Sequence, residues 1–135
     1  MTNDDFELLK IKLEKSLQWN HENMQIKLIE LAKLYQTHCG ILCSEKKEQM
    51  KLQIDLEEIY GELYKTYKFE STYRWDTKGE IESQIFADKK YINIKKLLND
   101  KIVIVEYISQ TIDNIKNVSY QIKSYMDWER FKAGI

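Results

Sequence analysis

The chain has 135 residues and a formal net charge of −1, with 21 Lys and Arg against 22 Asp and Glu. This length suits one domain with a modest core, and the near-neutral charge excludes a globally basic nucleic-acid binder, so any nucleic-acid site must be a local patch. The chain has no proline and only four glycines, which argues against the turn-rich composition of a β-sandwich or barrel and favours an all-α fold.

The N-terminal region, residues 1–43, carries two amphipathic segments. Apolar residues recur at three- and four-residue steps over residues 6–17 and again over residues 24–35. A weak break is expected near Gly40, so this region is predicted to be a helical hairpin or one kinked helix. It contains no apolar stretch of the signal-peptide type, which favours a soluble, cytoplasmic protein without a membrane partner.

Two cysteines and two histidines fall in or near the second segment. Cys39 and Cys43 are one helical turn apart, but His21 and His38 are seventeen positions apart and both precede Cys43. Zinc fingers use close paired spacings in both halves of the site. The cysteines are therefore interpreted as small core hydrophobes, and no metal or cofactor is expected.

Residues 44–79 are predicted to form a central helix followed by a basic and aromatic segment. The sequence YKTYKFESTYRW, residues 64–75, contains five aromatic and three basic residues. Single-stranded nucleic acid exposes phosphates that attract cations and base faces that stack on aromatic rings, so this mixture suits such a ligand. In this hypothesis Lys65, Lys68 and Arg74 contact phosphates, and the candidate stacking rings are Tyr64, Tyr67, Phe69, Tyr73 and Trp75. The alternative is that most rings belong to the core with the lysines extending past them, and the pattern alone favours this alternative.

Residues 80–135 contain the longest helical pattern in the chain. Thr77 and Glu80 have the spacing of a capping box and predict a short helix through Ile81 and Ile85. After Asp88 an apolar stripe without a helix breaker predicts one further helix of about forty residues, which would span about 60 Å. We expect partner chains to cover part of this stripe, and the alternative is a helix in a monomeric bundle. The predicted oligomer interface is Leu98, Ile102, Val105, Ile108, Ile112, Ile115, Ile122 and Met126.

Catalytic motifs are missing from the sequence. There is no glycine-rich phosphate loop, no GxSxG and no HExxH pattern, and neither histidine adjoins a plausible nucleophile. The chain is therefore not expected to be an enzyme.

From about residue 60 onward the chain resembles the UvsY-type recombination mediators of T-even phages. The resemblance is carried by IYGELYKTYKF, WDTKGEIESQIFADKKY and the terminal QIKSYMDWERFKAGI, and the first forty residues match only in helical character. It implies a small, all-helical, ring-forming protein, a hexamer or heptamer, that is not an enzyme. It also implies binding to single-stranded DNA, to the phage recombinase and to the phage single-strand-binding protein. The implied role is to help the recombinase displace that protein during recombination, repair and replication in the cytoplasm of the infected bacterium.

One departure from the family pattern concerns the DNA-binding residues. In the best-known member of the family, two basic residues, two positions apart before a pair of tyrosines, are tied to DNA binding, and they align with Gly61 and Leu63 of this chain. Cations close to these positions are expected to replace the missing charge. Those inside or beside the aromatic segment rank first, namely Lys65, Lys68, Arg74 and Lys78. The lysines that open the last helix rank second, namely Lys89, Lys90, Lys95 and Lys96. A rival hypothesis is an oligomeric helical scaffold or adaptor without nucleic-acid binding.

Overall fold

A computed structural model describes residues 1–70 and 77–134, and all the regular elements in these ranges are helical. The elements are α1 (Asn3–Ser16), α2 (Met24–Lys65), a π-helical turn (Thr66–Glu70), α3 (Lys78–Ala87) and α4 (Lys89–Lys132). The all-α prediction is confirmed, and so is the long C-terminal helix, because α4 contains 44 residues. Within the same ranges no helix is both long enough and apolar enough to cross a membrane.

The chain divides into two compact units. Unit 1 consists of Met1–Glu45 together with the chain from Ile104 onward, and unit 2 is Lys46–Val103. Both α2 and α4 contribute residues to each unit because each helix continues past the boundary.

Unit 1 has a core in which α1 packs against α2 and α4. The first helix begins with a capping box, in which the Thr2 hydroxyl accepts a hydrogen bond from the Asp5 amide and the Asp5 carboxylate accepts one from the Thr2 amide, both at 3.1 Å. Seven residues apart on α1, Phe6 and Leu13 are both buried. Two clusters surround them: Phe6 with Ile104, Ile108 and Ile112, and Leu13 with Leu31, Ile115 and Ile122.

In unit 2, α2 and α4 are joined by an ion pair and α3 covers the end of α2. The Lys101 ammonium lies 2.7 Å from the Glu48 carboxylate, and this contact holds the pKa of Glu48 below its usual value. The short helix α3 is capped by Thr77, whose hydroxyl accepts a hydrogen bond from the Glu80 amide, as the spacing of these two residues predicts. Its apolar face buries Ile81 and Ile85.

The apolar stripe of α4 lies largely inside the single chain. Of the eight residues assigned to the oligomer interface, Leu98, Val105, Ile108, Ile112, Ile115 and Ile122 are each 9% exposed or less. Ile102 and Met126 are half-buried. Partner chains are expected from the length of α4, but α2, which has 42 residues, packs against α4 in unit 1 of the same chain. The role of the stripe in subunit contacts stays a prediction.

The predicted break near Gly40 is wrong, because α2 runs through it without interruption. A buried stripe at seven-residue spacing, formed by Leu31, His38 and Glu45, continues across this position. Two of its members are polar, so the apolar pattern in the sequence stops before the helix does. One interior glycine costs about 1 kcal/mol relative to alanine, which is too little to end a helix packed on both sides of it.

Replacing Gly40 by alanine should therefore stabilise the protein. A Cβ at this position would meet no heavy atom within 4 Å, so the gain in helix propensity should raise the free energy of unfolding by about 1 kcal/mol. Urea denaturation followed by circular dichroism measures this difference. A lower urea midpoint for Gly40→Ala than for the wild type would show that a Cβ at this position does not fit.

Candidate nucleic-acid interface

The basic and aromatic segment, residues 64–75, begins where α2 changes its winding. Lys65 ends the α-helix, and Thr66–Glu70 continue as a π-helical turn that holds an extra residue. π-helical turns are frequent at functional sites. Three predicted DNA-binding residues lie outside the described ranges: Tyr73, Arg74 and Trp75.

Two predicted stacking residues, Tyr64 and Tyr67, take part in the packing of unit 2. Both rings are half-buried against a cluster formed by Leu63 of α2 and by Ile81 and Ile85 of α3. They therefore help to fix α3 on the end of α2. Only part of each ring remains in contact with solvent.

Hydrogen bonds to carboxylates fix the hydroxyl groups of two tyrosines. The Tyr67 hydroxyl donates to Asp88 Oδ2 at 2.8 Å, and the Tyr60 hydroxyl donates to Glu82 Oε1 at 3.0 Å. The bond to Asp88, together with burial, raises the pKa of Tyr67, whereas burial followed by the bond to Glu82 raises the pKa of Tyr60. These hydroxyl protons are thus engaged inside the protein. They are not donors held ready for a ligand.

Among the described residues of the segment, two cations and one ring are exposed, together with Thr66 and Glu70. Lys65 and Lys68 are exposed, and Phe69 is 73% exposed. The Lys68 ammonium lies 5.3 Å from the Phe69 ring centroid and 5.6 Å from that of Tyr64. The π-helical turn thus places a solvent-facing ring next to a positive charge, which is the combination that a stacked base and its phosphate require.

The other predicted cations that the structure describes are Lys78, Lys89, Lys90, Lys95 and Lys96, and all five are exposed. Lys78 forms an ion pair with Glu82 at 3.8 Å. Lys89 and Lys90 occupy the first turn of α4, where the helix dipole disfavours cations. Asp88 offsets this effect, because its carboxylate precedes the helix and accepts a hydrogen bond from the Lys90 amide at 2.8 Å. The presence of lysines at the start of α4 is therefore not by itself evidence of a bound anion.

An exposed ring outside the predicted set is Phe86 of α3, which is 51% exposed. Its centroid lies 5.3 Å from that of Tyr91 and 6.4 Å from that of Tyr60. The sequence does contain a signal for this exposure, because Phe86 follows Ile85 directly and so lies off the apolar face that Ile81 and Ile85 define.

The cysteines and histidines are distributed as follows. Cys39 is half-buried, Cys43 is exposed and both are free thiols, so the interpretation of Cys43 as a core residue is wrong. His38 is 2% exposed, and its Nδ1 lies 2.9 Å from the Leu34 carbonyl oxygen. In the parts of the chain that the structure describes, no three His, Cys, Asp or Glu side chains are close enough together to hold a metal ion.

Replacing Tyr67 by phenylalanine should remove the bond to Asp88 and lower the free energy of unfolding at neutral pH by about 1 kcal/mol. Because the pKa of Tyr67 is raised in the folded state, the stability from this bond is fully present below about pH 10, the usual tyrosine pKa. It is lost as the pH rises through the folded value. Urea unfolding measures the difference in the free energy of unfolding between wild type and variant, and this difference should be smaller at alkaline pH than at neutral pH. A difference that stays constant would contradict the hydrogen bond, and Tyr120→Phe, at a ring that is 73% exposed, is the control.

Two comparisons with known proteins give matches. A family model described as "Recombination, repair and ssDNA binding protein UvsY" matches residues 12–135. Crystal structures of the bacteriophage T4 recombination mediator protein UvsY share the fold. The lattice type IV structure has a TM-score of 0.85 at 20% identity, covering 98% of this chain and 99% of that one. For lattice type II the TM-score is 0.82 at 20% identity, with 98% of each chain covered.

No curated protein sequence matches the chain. Sequence identity of 20% to the solved structures establishes the shared fold alone, whereas the family model covers nearly the whole chain. This protein therefore belongs to the UvsY family of recombination, repair and single-stranded DNA binding proteins.

Proposed function

We propose that this protein binds single-stranded DNA and acts as a non-enzymatic recombination mediator. It helps the phage recombinase to load onto DNA that is coated by the phage single-strand-binding protein, in the cytoplasm of the infected bacterium. The match to the UvsY family over residues 12–135 carries this proposal. The solvent-facing Lys65, Lys68 and Phe69 support it, since they combine cations with an exposed ring in one short segment.

The DNA-binding surface is proposed to centre on the π-helical turn. Lys65 and Lys68 contact phosphates, and Phe69 stacks on a base. Lys78 contributes less, because Glu82 partly neutralises it, and Lys89 and Lys90 are proposed as further cations at the start of α4. Tyr64 and Tyr67 contribute the parts of their rings that remain exposed. Tyr73, Arg74 and Trp75, which lie outside the described residues, are proposed to bind the DNA as well.

Assembly into a homo-oligomer, a hexamer or heptamer, is proposed to make this modest surface sufficient. The net charge of each chain is −1, so one copy attracts DNA weakly. Several copies of one patch in a closed ring convert weak contacts into tight binding by avidity. A ring that holds DNA in a form preferred by the recombinase shifts the competition with the coating protein through differential affinity.

Subunit contacts are proposed to use α4. Ile102 and Met126 are the members of its apolar stripe that remain half-exposed. The last turns of the same helix expose Trp128 and Phe131, at 55% and 74%, and these two rings stack with their centroids 5.7 Å apart. Exposed aromatic pairs of this kind are common in protein contacts.

A fluorescence-anisotropy titration with labelled oligo-dT tests DNA binding. A mediator should bind, and its affinity should fall steeply between about 50 and 200 mM salt as counterions are released. A helical scaffold without nucleic-acid affinity should give no signal at either salt concentration. A second assay should show more recombinase retained on oligo-dT coated by the single-strand-binding protein when this protein is added. Unchanged retention would contradict the mediator role while leaving DNA binding intact.

A further inference from the structure

Unit 1 contains a groove of about 530 Å³ between α2 and α4. Its bottom is apolar, because Leu31 and Ile115 line it and each is 1% exposed. One aromatic ring comes from each helix: Tyr35 from α2, half-buried, and Tyr120 from α4, 73% exposed. The groove therefore offers an apolar bottom and ring faces in one place.

The charges that line this groove are all positive. Lys116 and Lys123 are exposed lining residues, and no Asp or Glu lines the groove. Neither lysine is in an ion pair with any residue that the structure describes. The Lys116 ammonium instead lies 5.5 Å from the Tyr35 ring centroid. In a chain of net charge −1, this is a local excess of positive charge over aromatic surface.

We propose that this groove is a second binding site for single-stranded DNA and accommodates one nucleotide. The base stacks on Tyr120, and Lys116 and Lys123 hold the flanking phosphates. This inference rests on the proposed function and adds a contact in unit 1, remote in sequence from residues 64–78.

The chemistry of the lining groups fits a nucleotide with any of the bases. Gln36 and Ser119 also line the groove, and each can both donate and accept hydrogen bonds. They can form hydrogen bonds with the edges of different bases, so stacking and charge determine the affinity more than the identity of the base does. The volume falls in the range of small-ligand sites, whereas a helix from an acidic partner protein needs a continuous apolar trough for several anchoring side chains.

Paired charge variants test the phosphate contacts. Lys116→Gln with Lys123→Gln should reduce the slope of log K against log salt for oligo-dT by about 1.4, since each phosphate contact to a single strand contributes about 0.7. The matched control is Lys12→Gln with Lys15→Gln, which removes the same charge from exposed positions of α1. The control slope should equal that of the wild type. Equal slopes for both double variants would overturn the phosphate assignment.

Tyr120→Ala tests stacking and should lower the affinity for oligo-dT by roughly tenfold. Its melting temperature should not change, because the ring is largely exposed. Ultraviolet crosslinking of oligo-dT that contains 5-iodouracil, followed by peptide mapping, should place adducts on Tyr120 or Tyr35. Adducts confined to residues 64–78, with unchanged affinity of the groove variants, would overturn the inference and leave the proposed function standing.

Two other outcomes would also overturn the proposed nucleotide site. A wild-type protein that fails to bind oligo-dT removes both the inference and the proposed function. If Tyr120→Ala or the lysine pair changes the assembly size in light scattering without changing the affinity per subunit, the groove is a protein contact, and the nucleotide assignment is wrong.

Discussion

Replacing Ile108 by aspartate should unfold unit 1. Ile108 is fully buried in the cluster with Phe6, Ile104 and Ile112. The substitution removes an aliphatic side chain, which costs about 2–5 kcal/mol in a core, and it adds a carboxylate without a partner, which costs several more. Domains of this size are stable by about 5–15 kcal/mol, so most of the helical circular dichroism signal should be lost at 25 °C.

Val103→Asp is the matched control for this prediction. Val103 lies on the same helix but is 59% exposed, so a carboxylate there stays hydrated and the helical signal should persist. Ile108→Asp would contradict the core assignment if it kept the wild-type melting temperature but became a monomer in light scattering. That result would identify Ile108 as a subunit contact.

The helices could be predicted from the sequence because their signals are local. The apolar stripe of α4 continues without a breaker, and the Thr77 cap has its recognition residues within one turn. Periodicity shows which face of a helix is apolar but not what covers that face. In unit 1, α4 packs against α2. The sequence did not indicate the full length of α2, because His38 and Glu45 are polar residues at buried positions and so interrupt the apolar pattern.

The candidate site was predictable in composition but not in geometry. Lys65 and Lys68 are exposed and lie in the basic and aromatic segment that the sequence indicates. The exposure of each aromatic ring, however, depends on contacts with residues that are remote in sequence. Tyr67 is held by Asp88, 21 residues away, and Tyr60 by Glu82, 22 residues away. Phe69 faces solvent in a π-helical turn, and an α-helical register does not describe that turn.

Replacing both Lys65 and Lys68 by glutamine should lower the affinity for single-stranded DNA and reduce its salt slope by about 1.4 for the two lost phosphate contacts. Both side chains are exposed, so the melting temperature should stay at the wild-type value. The control is Lys46→Gln with Lys47→Gln, which changes the same charge at exposed positions on α2. Anisotropy titrations with oligo-dT at several salt concentrations measure both quantities. A wild-type affinity and slope for the Lys65 and Lys68 variant would move the phosphate contacts to Lys89 and Lys90.

Phe69 provides the sharper test, because stacking and apolar contact can be separated at this position. Phe69→Leu keeps an apolar side chain but removes the aromatic face, so each copy should lose about 1–3 kcal/mol of binding if the ring stacks on a base. Phe69→Trp enlarges the face and should bind at least as tightly as the wild type. In an oligomer every copy carries the same loss, so the fall in avidity should exceed the loss measured for one subunit. Equal binding by the leucine and tryptophan variants would show that no base stacks on this ring.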